Sequence, residues 1–278
     1  MKSNANFMNW ETPGWAIITG ASSGIGEEFA RQLGAQGFSL LLIARRKDRL
    51  DTLADAIRRE FGGTVECLAA DLSQAEDLAA VRERLLHLES PDILINNAGF
   101  GTVGPFCEAD IEGQMAMLRV HNEAPVRLTR ALLPTMVRRN RGVVILTSSL
   151  SAFVPSPGSG LYTATKAFLV GLARVWALEL KDTEIRVQAL CPGYTHTGFH
   201  DDHAYDGLKS FLPRYAWGTT AAVVRASLRG ARRNKPVVIP GFANRAAQKF
   251  VPKRWMVASY MKKRWDKIRR HEDPQKFR

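Results

Sequence analysis

No stretch of this chain approaches the roughly 20 consecutive apolar residues that span a bilayer. The apolar run from Phe38 to Ala44, broken only by Ser39, is of strand length. The amino-terminal MKSNANFMNWETPG has a single early cation and no apolar core of signal-peptide length, which speaks against export. Cysteine is scarce: Cys67, Cys107 and Cys191 lie far apart, with no Cys-x-x-Cys and no histidine cluster at metal spacing. His196, His200 and His203 follow no zinc pattern either, so they read as loop histidines and no metal site is expected. These shortages argue against a spanning protein, a disulfide framework and a structural zinc domain, and they predict reduced thiols in the cytoplasm.

What is present suits a globular chain. The 278 residues, 45% hydrophobic and 24% charged, are enough for one large α/β domain with a substantial core. The net charge of +12 is unevenly spread. Residues 230–278 hold fifteen Lys or Arg against Asp266, Glu272 and Asp273, so this stretch accounts for the whole +12. Most of the basic character belongs to a carboxy-terminal extension, residues 242–278, appended to a single domain over residues 1–241.

Strands and helices alternate along that domain without internal repeat. Strands are predicted at Trp15–Thr19, Phe38–Ala44, Val65–Ala70, Asp92–Asn96, Gly142–Ser148, Glu184–Cys191 and Pro236–Pro240, seven in all. Helices are predicted from Gly24 onward, with Ile25, Phe29 and Leu33 on the inner face, and over Asp48–Phe61, Gln74–Leu88, Ala109–Arg138, Ser159–Leu180 and Thr219–Arg229. This alternation predicts an α/β fold with a doubly wound, mostly parallel sheet between two helical layers. Ligands of such sheets bind at the carboxyl ends of the strands. Residues 198–218, of mixed polarity and weak periodicity, read as a flap beyond the sheet.

The run TGASSGIG, Thr19 to Gly26, follows the first strand and opens a helix. In that context Gly20, Gly24 and Gly26 let the backbone approach a pyrophosphate, and the helix amino terminus offers it unpaired N–H groups. Ser22 and Ser23 add hydroxyl donors, and Ile25 belongs to the same turn. At the end of the second strand, Ala44 is followed by Arg45, Arg46 and Lys47, with no acid before Asp48. A carboxylate there would accept from the ribose hydroxyls of NAD, whereas a guanidinium pairs with the 2′-phosphate of NADP. The expected cofactor is therefore NADP(H) in preference to NAD(H), with Arg45 the leading phosphate ligand and Arg46 second.

Tyr162 and Lys166 lie one helical turn apart in LYTATKAF, on one helix face. A phenol has a reference pKa of about 10 and donates protons poorly at neutral pH. A cation beside it stabilises the phenolate and brings it toward the working range. Ser149 precedes the tyrosine by thirteen residues, with Ser148 the competing choice.

With its Thr-Gly-x-x-x-Gly-x-Gly turn, the chain resembles the short-chain dehydrogenases/reductases over roughly Trp15 to Thr197, and more weakly to about Gly241. The resemblance implies a Rossmann-type catalytic domain and assigns Ser149 to the substrate oxygen by its spacing to Tyr162. It makes Tyr162 the proton donor and lets Lys166 also bond the nicotinamide ribose. Asn122, in RVHNEAP, corresponds to the helix asparagine whose backbone kink holds a relay water. Asp71, with Leu72 beside it, matches the acidic residue next to the adenine. Asn96, Asn97, Ala98 and Gly99 match the NNAG motif, which leaves room for the cofactor. The segment CPGYTHT places Pro192, Gly193, Tyr194, Thr195 and Thr197 around the nicotinamide. No active-site position departs from the family pattern, and a homodimer or tetramer assembled through the helices of 109–138 and 159–180 is implied as well.

The substrate pocket is expected from the flap, from residues 100–106 and from residues 150–161. Its walls would be Phe100, Val103, Phe106, Phe153, Val154, Leu161, Tyr194, Phe199 and Phe211, with Ser149 and Tyr162 holding the reacting oxygen. Largely apolar walls predict an apolar ketone or secondary alcohol of fatty acyl, steroid-like or xenobiotic type. Two other classes share the scaffold. A non-redox epimerase or dehydratase would turn over without net NADPH consumption, and a cofactor-sensing scaffold would not need the intact Asn122, Ser149, Tyr162 and Lys166. In the extension, Val257, Met261, Trp265 and Ile268 form one stripe among cations, a pattern that suits an anionic membrane surface or an acidic partner. A helix packed on its own domain or another subunit would show the same stripe. Nucleic acid is not expected, because no binding motif accompanies the charge.

Overall fold

The structure, a computed structural model, describes residues 8–102, 104–154, 158–196 and 217–250. Seven parallel strands form one sheet in the order β3-β2-β1-β4-β5-β6-β7. They are β1 (Trp15–Thr19), β2 (Ser39–Ala44), β3 (Val65–Ala69), β4 (Pro91–Asn96), β5 (Gly142–Thr147), β6 (Ile185–Leu190) and β7 (Val237–Val238). Strand order reverses between β1 and β4, where Ile17 pairs with Leu41 on one side and with Leu94 on the other. The crevice of such a sheet opens at the carboxyl ends of these two strands.

Alternation along each strand divides the core in two. Ile18, Leu42, Ile95 and Ile145 face one helical layer, α1 (Gly24–Gly34), α2 (Lys47–Phe61) and α7 (Thr220–Arg232). Ile17, Leu41, Leu94 and Val144 face the other, α3 (Ala75–Leu86), α5 (Ala124–Arg138) and α6 (Gly160–Glu179). Both faces are buried, which is why the strands read as continuous apolar runs. A last helix, α8 (Phe242–Phe250), follows β7.

The single helix expected over Ala109–Arg138 is built in pieces. After a 3₁₀ turn at Phe106–Glu108 comes α4 (Ile111–Leu118), capped by the Asp110 carboxylate accepting from Glu112 and Gly113 N–H. A π-helical turn, Arg119–Glu123, then leads into α5. Pro125 has no N–H to give the carbonyl of residue 121, so the α-helical ladder fails here and a wider turn takes its place. The expected strand Pro236–Pro240 shortens to Val237–Val238, because prolines at both ends withhold ladder donors. The flap and the stripe of residues 251–278 lie outside the described residues.

At the amino ends of the strands, Asp92 is fully buried and fully partnered. Its carboxylate accepts from Gly14 N–H at 2.6 Å, from Arg139 Nη2 at 3.0 Å and from Arg141 Nη2. Arg141 also stacks over the Trp10 ring, 4.3 Å from its centroid, tying the start of the chain to β5. Removing the carboxylate leaves two half-buried guanidiniums without their shared buried partner. Asp92→Ala should lower the unfolding free energy by about 3 kcal/mol, read from urea denaturation midpoints.

Candidate active site

The glycine-rich turn and the end of β4 are built against each other. Gly20 and Gly24 have φ of +66° and +62°, the left-handed region that glycine tolerates. A Cβ at Gly20 would stand 2.8 Å from the Ala98 Cα, and one at Gly26 would stand 2.3 Å from the Gly20 carbonyl oxygen. The Thr19 hydroxyl accepts from Asn97 and Ala98 N–H at 2.9 and 3.0 Å, and Asn97 Nδ2 donates back to the carbonyls of Thr19 and Gly20. The two motifs therefore lock as one surface, with Gly99 completing the strand end. Ser23 precedes α1 without its side chain capping the helix, so the first-turn N–H groups face the crevice without a side-chain acceptor.

Beside this turn the arginines divide their work. Arg46 Nη2 donates to Ser22 Oγ at 2.9 Å and Ser23 Oγ at 3.0 Å. Arg45 instead leans toward Asp71, with 3.9 Å between Nη1 and a carboxylate oxygen. Partial burial, and then the neighbouring Arg49 and Arg45 guanidiniums, lower the pKa of Arg46, the mark of local positive charge in excess. Asp71 also accepts from the N–H and hydroxyl of Ser73. Leu72 is buried in the core and Ile25 packs partly against it, so their backbones are the parts next to the crevice. The turn and the uncapped helix start together fit a dinucleotide, with the arginines beside it.

Lys166 is buried on α6 and its Nζ donates to the Thr147 carbonyl at 3.0 Å. That carbonyl is its hydrogen-bond acceptor among the described residues, for an ammonium with three protons to give. Burial lowers its pKa to about 7. The Nζ lies 5.6 Å from the Tyr162 ring centroid, and a Cβ at Gly99 would approach it to 3.5 Å. Ribose hydroxyls at this point would supply the missing acceptors.

The two serines separate cleanly. The Ser148 hydroxyl is buried and donates to the Lys166 carbonyl at 2.7 Å, so it braces α6. Ser149, at the end of the strand, accepts from Ser151 N–H at 3.1 Å and keeps its own proton to donate. Asn122 lies in the π turn with Nδ2 donating to the Thr165 carbonyl at 3.2 Å, while its buried Oδ1 has no partner, the setting a water would fill. Behind Ser148, burial pushes the Cys191 thiol up to about 12.

Around this centre, the Pro192 carbonyl accepts from Leu150 N–H at 2.8 Å. Gly193 lies against Asn244 of α8, whose amide leaves no room for a Cβ there. Thr195 is buried, donates to the Gly193 carbonyl at 3.0 Å and bridges to Gly218. The Tyr194 ring meets Trp217 at 5.5 Å, and Phe100 and Phe153 pack partly against the core beside it. Thr197, Phe199, Val103, Phe211, His200 and His203 lie outside the described residues. Sequence reasoning passed over His121, Trp217 and Asn244. For His121 the signal was present: a histidine beside Asn122 just before a helix-breaking Pro125.

The sequence pattern of the short chain dehydrogenase family matches residues 14–206. A very-long-chain 3-oxoacyl-CoA reductase of Anas platyrhynchos is 33% identical over 66% of this chain, which spans 60% of that protein. The structure of a short-chain dehydrogenase from Sphingobium yanoikuyae in complex with NADPH is 36% identical, with a TM-score of 0.77, covering 88% of this chain and 95% of that one. The bulky-bulky ketone specific alcohol dehydrogenase from Comamonas testosteroni is 32% identical, with a TM-score of 0.74, at 88% and 95% coverage.

The depressed Lys166 has a thermodynamic consequence. Folded, it gives up its proton near 7; unfolded, it keeps it to about 10.5. Between those values the unfolded chain binds more protons, so stability rises with pH. Above about 9 the buried Cys191 works the other way, since only the unfolded thiol ionises there. Between pH 7 and 8.5 the unfolding free energy of the cofactor-free protein should climb relative to Lys166→Met, with a slope approaching 1.4 kcal/mol per pH unit, about one proton's worth.

Proposed function

The chain belongs to the short-chain dehydrogenase/reductase family, and from that membership we propose that it is an NADPH-dependent carbonyl reductase, and in reverse an alcohol dehydrogenase. Its substrate is an apolar ketone of fatty acyl, steroid-like or xenobiotic type. The observation that carries this reading is the buried Lys166 ammonium, 5.6 Å from the Tyr162 ring and short of acceptors. Such a group has a purpose only when a polar ligand and a developing phenolate share its pocket.

When bound, the nicotinamide supplies the hydride. Ser149 donates a hydrogen bond to the substrate oxygen and fixes it beside Tyr162. Tyr162 gives that oxygen its proton, and Lys166 stabilises the phenolate that remains. Asn122 holds the π turn open for a water that passes a proton through Lys166 back to the Tyr162 phenolate. Gly20 to Gly26 hold the pyrophosphate, Arg46 with Ser22 and Ser23 the 2′-phosphate, and Asp71 the adenine side. Phe100, Phe153 and Tyr194 supply apolar walls, in keeping with the bulky ketones and 3-oxoacyl chains of the relatives' names. Exposed Val126 and Val137 on α5, with Phe168, Val175 and Leu178 on α6, suit a homodimer or tetramer.

Tyr162→Phe should lower ketone-dependent NADPH oxidation by at least about 100-fold while leaving NADPH binding intact; turnover unchanged from wild type would remove the tyrosine from the mechanism. Arg46→Ala should weaken NADPH binding by about 10-fold or more and leave NADH binding as it was, with Arg45→Ala the smaller change. Thermal-shift titrations with both cofactors read the difference, and an equal loss for both would defeat the NADP(H) assignment.

A further inference from the structure

We propose that His121 is a positioning residue of the active site, a neutral imidazole that ties the end of β4 to the catalytic helix and holds the Tyr162 ring in place. The proposal rests on the carbonyl-reductase reading of the site and extends it to a residue outside the Asn122, Ser149, Tyr162 and Lys166 set.

His121 sits in the π turn, buried, with its ring enclosed on every side. Phe100 N–H donates to Nε2 at 3.1 Å. Nδ1 lies 2.9 Å from Thr165 Oγ1, and that hydroxyl lies 2.7 Å from the Tyr162 carbonyl oxygen, to which it donates. A threonine hydroxyl has one proton. Since Oγ1 gives it to Tyr162, Oγ1 must accept from His121, so the proton of the ring is on Nδ1. The whole chain has one consistent arrangement: Phe100 N–H to Nε2, Nδ1–H to Thr165, Thr165 O–H to the Tyr162 carbonyl. The imidazole also meets the Tyr162 ring edge to face, with centroids 5.7 Å apart, and Phe100 at 6.0 Å.

The groups that face the imidazole are Tyr162, Thr165 and Lys166 from α6 and Gly99 and Phe100 from the end of β4. Lys166 is the cation among them, bordering the same Gly99 α-carbon as Nε2. Burial first, and the charge of Lys166 second, hold the imidazole pKa well below its ordinary value. A second proton would cost the Phe100 bond and set two cations side by side. The ring therefore remains an acceptor on one side and a donor on the other through neutral pH, a rigid strut between two backbones. The π turn carries both residues that reach Thr165, His121 through Nδ1 and Asn122 through Nδ2.

The test has two arms. In the first, two-bond ¹H–¹⁵N spectra of histidine-labelled protein should show one imidazole protonated at Nδ1 and free at Nε2 from pH 6 to 8, absent in His121→Phe and shifted toward Nε2–H in Thr165→Val. A ring protonated at Nε2 overturns the proposal whether or not turnover is seen. In the second, NADPH oxidation is followed with acetophenone and 2-decanone. His121→Phe and Thr165→Val should each lower kcat by about 10- to 100-fold, with the NADPH dissociation constant within about threefold of wild type, and the double variant should be no worse than the poorer single. Folded single variants with unchanged kcat, or losses that multiply in the double variant, overturn it. A wild type that binds NADPH, shows the Nδ1–H ring and reduces neither ketone counts against the carbonyl reading and leaves the hydrogen-bond chain standing.

Discussion

A lysine ammonium held out of water beside a phenol is the constraint on which this site is organised. Lys166 is buried and bonded to one carbonyl, that of Thr147. Its surroundings follow from that. Ser148 takes the Lys166 carbonyl, His121 is kept neutral nearby, and Gly99 has no side chain because a Cβ would stand 2.7 Å from His121 Nε2. A side chain at 99 would displace the imidazole and come into contact with the Lys166 Nζ, 3.5 Å from that Cβ. Small residues at the end of β4 are thus demanded by the catalytic helix as much as by a cofactor.

The coenzyme turn obeys a similar logic. Glycines in such a turn are usually explained by the ligand, yet Gly26 is already required by the Gly20 carbonyl and Gly20 by Ala98. The turn would need glycine even with nothing bound. What the ligand adds is a use for the α1 start that Ser23 leaves without a side-chain cap, and for a guanidinium already held by two serine hydroxyls. Burial first, and then the charges of Arg49 and Arg45, disfavour the Arg46 guanidinium, and an anion beside it would relieve that cost.

Much of this was legible in the sequence. Parallel strands buried on both faces write themselves as apolar runs, so the sheet and most of its helices could be read with boundaries shifted by one to three residues, although α8 was not among the expected helices. The Tyr162–Lys166 pair follows from spacing, because one helical turn sets both on one face, whereas the choice of Ser149 over Ser148 comes from the family resemblance. Arg46 stands nearer the turn than Arg45, since it reaches back over Ser22 and Ser23 while Arg45 leans toward Asp71. The π turn was hidden, since a continuous helix and a helix with one wide turn share the same apolar periodicity, and only Pro125 betrays the difference. Asn244 against Gly193 was also out of reach: a contact between residues 51 apart leaves no local pattern.

The two ends of the sheet treat buried charge in opposite ways. At the amino end, Asp92 is surrounded by two arginines and a backbone N–H, a carboxylate with nothing left to accept. At the carboxyl end, Lys166 keeps protons without acceptors and Asn122 keeps an acceptor without a donor. The same strands carry both, since Asp92 begins β4 and Asn96 and Gly99 close it, while Arg141 leads into β5 and Thr147 and Ser149 end it. The unmet hydrogen bonds of Lys166 and Asn122 thus lie where a ligand can meet them, whereas those of Arg141 Nε and Arg186 Nε lie at the opposite end of the strands. A fold that satisfied Lys166 internally would be more stable and would have nothing to offer a ribose or a phenolate.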